Sequence, residues 1–222
     1  MNKLLIGIAL AAVTAVTVIA NANGDKGIEQ IRTDGRLTVA TFAGGCFWCV
    51  ESDFEQVPGV VDAVSGYTGG STEQPTYKQV SAGGTGHLES VEVYYDPSVI
   101  SYEGLLAAFW RMIDPTDDGG QFVDRGKQYS TAIFYHDEQQ KLAAERSRAA
   151  LAASGRYTDA IVTPLRPAGE FYVAEEYHQD YYEKNPIRYK FYRYGSGRDQ
   201  YLEKTWGAEI HVDYGRFAPS KG

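Results

Sequence analysis

The chain has 222 residues, of which 43% are hydrophobic and 23% charged, and a formal net charge of −8 at neutral pH. These proportions fit one globular domain with a tail, and the acidic balance argues against nucleic acid or an anionic membrane surface as a partner. No internal repeat is evident, and Cys46 and Cys49 are the only cysteines.

The N-terminus reads as an export signal. Lys3 gives a positive start, Leu4 to Ala20 is apolar and alanine-rich, and Ala20-Asn21-Ala22 offers small residues for cleavage. Residues 1–22 are therefore expected to be a signal peptide, with the mature chain beginning near Asn23. A retained anchor is the alternative, because the apolar run is long for a signal core, though slightly short for a comfortable span. Either way the domain would face the outside of the inner membrane, in the periplasm. Residues 23–36 are polar and read as a linker, 37–195 as the main domain, and 196–222 as a C-terminal extension.

Within the main domain a β-like run, Leu37 to Phe42, meets the Gly44-Gly45 break. Phe47, Val50, Phe54 and Val57 then recur at helical spacing until Pro58-Gly59 ends the run. Val60 to Tyr67 is expected to be a strand leading into a turn at Thr68-Gly69-Gly70, and Ser81 to Gly86 a glycine-rich loop. Leu88 to Tyr95 alternates as a strand, read with Val91, Val93 and Tyr95 on one face and Glu89 and Glu92 out of phase with them. Ser101 can cap a helix carrying Leu105, Leu106, Phe109 and Met112. Thr116 to Lys127 is read as a polar loop, and Tyr129 to Tyr135 as a strand. Asp137 caps an alanine-rich helix that closes at Gly155. Ala160 to Leu165 reads as a short strand interrupted by proline, Ala174 to Lys184 as a helix dense in aromatics, and Arg198 to Trp206 as a short extra helix. Strands and helices interleave irregularly, which predicts an α+β domain: a two-layer sandwich with a mixed, mainly antiparallel sheet around a ferredoxin-like core, plus long loops.

The strand-to-helix corner at Gly45-Cys46-Phe47-Trp48-Cys49 is the place for redox chemistry. Only a thiolate attacks, and the unpaired N–H groups and positive dipole of a helix's first turn favour that form. Cys46 is the expected nucleophile, and Cys49, one turn later, the thiol that resolves its oxidised product. Two other readings stand beside this one. A structural disulfide would close so short a loop that it restrains little chain entropy. Half a zinc site would need further ligands, yet His87, His136, His178 and His211 are scattered and no second close pair exists. Long loops in compact domains are usually functional, and three carry suitable residues: Pro75-Thr76-Tyr77, Gly86-His87-Leu88-Glu89 and Asp124 to Tyr129.

Taken in order, these segments resemble the type A peptide methionine sulfoxide reductases. The shared motifs are Gly44-Gly45-Cys46-Phe47-Trp48, Gly66-Tyr67-Thr68-Gly69-Gly70, Pro75-Thr76-Tyr77, Thr85-Gly86-His87-Leu88-Glu89, Tyr95-Asp96-Pro97, Asp114-Pro115-Thr116, Asp124-Arg125-Gly126-Lys127-Gln128-Tyr129 and Ala174-Glu175-Glu176-Tyr177-His178-Gln179. Several motifs in one order are far more specific than a lone Cys-x-x-Cys. The resemblance implies reduction of the S-epimer of methionine sulfoxide, free or in proteins. It assigns attack to Cys46, the acid to Glu89, and hydrogen bonds to the sulfoxide oxygen to Tyr77 and Tyr129. Phe47 and Trp48 become the wall for the S-methyl group, Asp124 a polar pocket residue, and Tyr189 an aromatic near the site. It implies no prosthetic cofactor and no metal; electrons would come from an external thioredoxin-like dithiol. Oxidised proteins or free methionine sulfoxide would be the substrates, with no nucleic acid partner, and the protein is expected to be a monomer.

The chain departs from that pattern at two places. Many relatives have glycine at the position of Cys49 and a resolving cysteine near the C-terminus. Here Lys190 follows Tyr189 and no C-terminal cysteine exists, so the resemblance implies a direct Cys46–Cys49 disulfide. Phe122 and Val123 stand where many relatives have small or polar residues. The rival reading is a periplasmic thiol–disulfide oxidoreductase of thioredoxin-like fold, with Val162-Thr163-Pro164 imitating that fold's proline segment. The bulky Phe47-Trp48 between the cysteines argues against it.

Overall fold

The structure is a computed structural model that describes residues 27–219. The expected signal peptide lies outside the described residues. Contacts divide the chain into two units at Gly35/Arg36. In the first, residues 27–32 are helical within the stretch read as a linker. None of the described helices is long and apolar enough to cross a membrane.

The second unit is built on a six-stranded sheet in the order β7-β6-β1-β3-β2-β8. Its four central strands are β1 (Thr38–Gly44), β2 (Val60–Thr68), β3 (Leu88–Tyr95) and β6 (Thr131–Tyr135). Neighbours among them pair antiparallel, with Phe42 opposite both Val91 and Ile133, and Tyr67 opposite Glu89. Helix α1 (Phe47–Phe54) connects β1 to β2, and α3 (Tyr102–Phe109) lies between β3 and β6. This is the expected ferredoxin-like core of two split β-α-β units. The edges carry β7 (Leu165–Pro167), parallel to β6, and β8 (Phe171–Val173), antiparallel to β2.

Side-chain alternation decides which face holds the helices. Ala40, Phe42, Val91, Val93, Tyr95 and Ile133 share one buried cluster with Phe47, Val50 and Phe54 of α1, and with Leu105, Leu106 and Phe109 of α3. Ala143, Ala144 and Leu151 of α4 (Glu138–Ala153) join it. Phe42 stacks between Phe54 and Phe109, at 4.9 and 4.8 Å. The opposite face holds a smaller cluster of Ala43, Leu88, Ala132 and Phe134. As expected, Asp137 caps α4, accepting from the Gln140 N–H at 2.8 Å.

Four stretches differ from the sequence expectation. Pro75-Thr76-Tyr77, read as loop, opens helix α2 (Tyr77–Ser81), which Thr76 and Gln79 close at its N-terminus with a capping box. The Thr116–Lys127 stretch contains a small hairpin, β4 (Gly120–Gln121) with β5 (Asp124–Arg125). The expected strand at Ala160–Leu165 starts only at Leu165: Thr163 is wholly buried and bonded to Thr131 Oγ1 at 2.8 Å, and Pro164 has no N–H for a ladder. The Ala174–Lys184 helix is broken. The Gln179 side chain holds both backbone groups of Ser65 at 2.9 Å, and Asp180 turns left-handed at φ +52°, leaving a 3₁₀ turn at Glu176–His178 and the short helix α5 (Tyr181–Lys184).

The C-terminal segment carries α6 (Pro186–Ser196) and α7 (Arg198–Trp206), the second being the short helix expected there. Trp206 lies between the guanidinium groups of Arg111 and Arg156, each 4.0 Å from its ring centre.

Candidate active site

The β1 strand delivers Cys46 to the N-cap of α1, where its carbonyl accepts from the N–H groups of Cys49 and Val50. Both cysteines are reduced and buried, Cys46 at 6% exposure and Cys49 fully. Gly45 makes this corner possible. It sits at φ +86°, and a Cβ there would lie 2.6 Å from Gln121 Cβ.

Cys46, Phe47, Trp48, Tyr77, Glu89, Asp124 and Tyr129 meet around one pocket of about 100 Å³, together with Tyr192. The elements explain the convergence. The α1 helix supplies the wall, α2 presents Tyr77, the small hairpin presents Asp124, and β3 presents Glu89. Residues two apart share a strand face, so Glu89 points the same way as Val91 and Val93, toward α1. The reading of Glu89 as out of phase with them is thereby corrected. All eight residues of β3 are buried, so polarity there does not report which face meets water.

Glu89 Oε2 accepts the Phe47 N–H at 3.1 Å. Burial is the main force on this carboxyl and raises it to about 8, with Asp124 and Cys49 pushing the same way and the Phe47 N–H opposing them. Glu89 therefore holds its proton at neutral pH, and Oε1 is free to present it. Tyr77, raised to about 12 by burial and by Glu89, stays a hydrogen-bond donor, and the same causes raise Tyr129.

The expectation for Cys46 is corrected in one respect. Burial, then Cys49 and Glu89, raise its thiol well above the ordinary value. The first helical N–H is committed to Glu89 rather than to a thiolate. Cys49 is displaced the other way, lowered by its hydrogen bond with Cys46 and by the Arg198 and Arg193 charges.

Trp48 is held from two sides. It stacks on Tyr181 at 3.7 Å, and its Nε1–H donates to His178 Nδ1 at 3.0 Å. Burial lowers His178 to about 4, so it is neutral and can accept that bond. Glu175 ties two tyrosines together, accepting from the Tyr77 backbone N–H and the Tyr67 hydroxyl, both at 2.9 Å. Asp124 accepts from the Tyr192 hydroxyl.

Tyr189 does not line the pocket. It is buried beside Cys49 and Tyr181, and its hydroxyl accepts from Arg193 at 3.1 Å. Tyr192, one helical turn further along α6, takes the pocket position; the Tyr189-x-x-Tyr192 spacing was the signal for it. His178 and Glu175 lay in a motif to which no roles were attached. Among the described residues, no group of three or more His, Cys, Asp or Glu side chains could hold a metal ion.

The family model described as peptide methionine sulfoxide reductase matches residues 38–210. A peptide methionine sulfoxide reductase MsrA of Bacillus licheniformis is 54% identical over 169 residues, covering 76% of this chain and 93% of that one. A peptide methionine sulfoxide reductase MsrA/MsrB of Vibrio cholerae is 50% identical over 204 residues; the match covers 91% of this chain and 54% of that longer relative. The solved structure of methionine sulfoxide reductase A of Corynebacterium diphtheriae superposes with a TM-score of 0.62 at 35% identity, covering 70% of this chain and 78% of that one. These likenesses do not favour the thioredoxin-like rival.

Proposed function

The chain belongs to the peptide methionine sulfoxide reductase family and is an A-type methionine sulfoxide reductase, and we propose that it acts on the S-epimer, free or in proteins, through a cycle run by Cys46 and Cys49. The observation that carries this reading is Glu89: a buried, protonated carboxyl fixed by the Phe47 N–H at the wall of the pocket that Cys46 lines.

The methyl end of the substrate rests on Phe47 and Trp48, and its oxygen points to Tyr77, Tyr129 and Glu89. Both tyrosines line the pocket and keep their hydroxyl protons, so both can donate to that oxygen. The Cys46 sulfur attacks the sulfoxide sulfur while Glu89 protonates the oxygen, and the proton lost by the Cys46 thiol restores Glu89. The oxygen passes to Cys46, methionine leaves as the thioether, and Cys46 becomes a sulfenic acid. Cys49 then displaces that oxygen as water, forming the Cys46–Cys49 disulfide. An external thioredoxin-like dithiol returns both thiols to the reduced state, and no prosthetic group takes part.

The Lys3 to Ala22 pattern supports export to the periplasm. A reductant refreshed across the membrane would then be required, since a cytosolic thioredoxin cannot reach that compartment.

Mass mapping after one turnover with methionine sulfoxide tests the cycle. A Cys46–Cys49 bond in amounts matching the methionine formed is expected. Methionine without that bond would overturn the resolving step. Protein that reduces insulin disulfides but not methionine sulfoxide would overturn the whole reading.

A further inference from the structure

We propose that Arg198 is a positioning residue for the second half of the cycle: its buried guanidinium grips the carbonyl of Gly44 behind the Cys46–Cys49 turn and favours Cys49 as the thiolate that attacks oxidised Cys46. This rests on the reading of Cys49 as the resolving thiol.

Arg198 opens α7 and is 1% exposed, among the largest fully buried side chains. Its guanidinium donates to the Gly44 carbonyl at 3.0 Å and to the Met112 carbonyl. Its plane lies over the Phe122 ring, 4.7 Å from the ring centre. Nε has no hydrogen-bond partner, and no carboxylate pairs with the group among the described residues. A buried cation without a counter-charge costs stability. Two carbonyls and a ring face engage part of the guanidinium without neutralising it, so the positive charge remains available to the turn beside it.

Several charges surround the candidate for that field. From α1, Cys49 meets Cys46 and Asp53; from β3, it feels Glu89. From α5 and α6 come Tyr181, Tyr189, Tyr192 and Arg193. Arg193 is already matched by Asp53 and Asp199. Arg198 also acts on Asp53 and Asp124, but Asp53 has Arg193 and Asp124 has the Tyr192 hydroxyl. Cys49, one turn beyond the Gly44 carbonyl that Arg198 grips, is the thiol this unmatched cation favours as thiolate.

In the step itself the Cys49 sulfur forms the S–S bond as the Cys46 S–O bond breaks. The departing hydroxide takes up the proton that Cys49 released and leaves as water. The oxidising equivalent is the oxygen that Cys46 took from the substrate.

The test mixes reduced protein with one equivalent of methionine sulfoxide and follows methionine formation and sulfenic acid decay separately from pH 5.5 to 9. For R198M, methionine formation should stay within about threefold of wild type, while disulfide formation falls by at least about tenfold at neutral pH and recovers as pH rises, its acid limb displaced upward by about one unit. R198K should retain most of the wild-type limb. Equal slowing of both halves, an unmoved limb, or R198K behaving like R198M would overturn the proposal. If R198M does not fold, the thiolate absorbance of Cys49 is compared in Cys46→Ser protein with and without R198Q, which removes the charge and keeps a side-chain amide for the Gly44 carbonyl. A higher midpoint with R198Q supports the role, and an unchanged one overturns it. A wild-type protein that forms no Cys46–Cys49 disulfide would bring down the cycle itself; a disulfide whose limb ignores Arg198 would bring down only the role given to Arg198.

Discussion

The Phe47 N–H donates to Glu89 Oε2 at 3.1 Å, so the first amide of the cysteine-bearing helix orients the carboxyl proposed as the proton donor. The proposed nucleophile and acid are thereby fixed to one another through adjacent residues, Cys46 and Phe47. Because burial raises Glu89 to about 8, the first-turnover rate of the wild type should be level at neutral pH and fall as pH rises through that value. Glu89→Gln keeps an oxygen for the Phe47 N–H but has no proton to give. We expect a loss of about 10²- to 10⁴-fold in methionine formation with the fold preserved. An unchanged rate would move the proton source to Tyr77, Tyr129 or water.

Cys49→Ser should release one methionine per enzyme and then stall. Cys49 is fully buried beside Cys46, and no third cysteine exists to take its place. The stalled enzyme should carry a sulfenic acid on Cys46, detectable by dimedone labelling and mass spectrometry. Repeated turnover with a protein dithiol would show that an outside thiol resolves Cys46 directly.

How far these residues could be read from the sequence follows from what each depends on. The β3 strand is legible because its alternation is local, yet polarity misleads about the face of Glu89, because every position of the strand is buried. Short motifs carry Cys46, Tyr77, Asp124 and Tyr129, and the fold places them around one pocket. Tyr192 escaped because Tyr189 and Tyr192 lie one turn apart on α6, and tertiary packing rather than their spacing settles which of the two reaches the pocket. Arg198 escaped for a stronger reason. It stands 154 positions from the Gly44 carbonyl it grips, at the start of a segment read as an extension. The Ala174–Lys184 helix failed because Gln179 satisfies the backbone of Ser65, a tertiary demand that overrides helical propensity.

Gly45→Ala should damage both stability and activity. The residue sits at φ +86°, and its new Cβ would meet Gln121 Cβ at 2.6 Å. Gln121 cannot retreat easily: it is fully buried, and its amide bridges the Asp114 backbone N–H and carbonyl at 2.8 and 2.9 Å. The backbone strain alone is worth about 1–3 kcal/mol. Chemical denaturation should show at least that loss, and a variant as stable as wild type would mean the corner can rearrange.

Trp206→Ala tests whether the C-terminal segment is integral to the domain. The ring is 7% exposed and sandwiched between Arg111 and Arg156. Its removal leaves a cavity and uncovers two guanidinium groups, a cost of about 3–5 kcal/mol in thermal or urea unfolding. A loss below about 1 kcal/mol would mean that α7 contributes little beyond Arg198.

Glu51 offers a stability prediction independent of catalysis. It lies on α1, fully buried; Oε1 accepts the Asp180 N–H at 3.2 Å and Oε2 has no partner. Burial, with Glu55 and Asp180 adding to it, raises this carboxyl from 4.5 to about 9. The folded value lies above the unfolded one, so the native state keeps a proton that the unfolded chain gives up. Its stabilising contribution is complete below pH 4.5 and is lost as pH rises toward about 9, at up to about 1.4 kcal/mol per pH unit. Glu51→Gln removes this titration, and its amide can donate to the Ser65 hydroxyl nearby. The variant should match wild type at acidic pH and exceed it by up to about 3 kcal/mol at pH 7 in urea unfolding. Parallel stability curves for the two proteins from pH 5 to 9 would show that Glu51 ionises normally inside the fold.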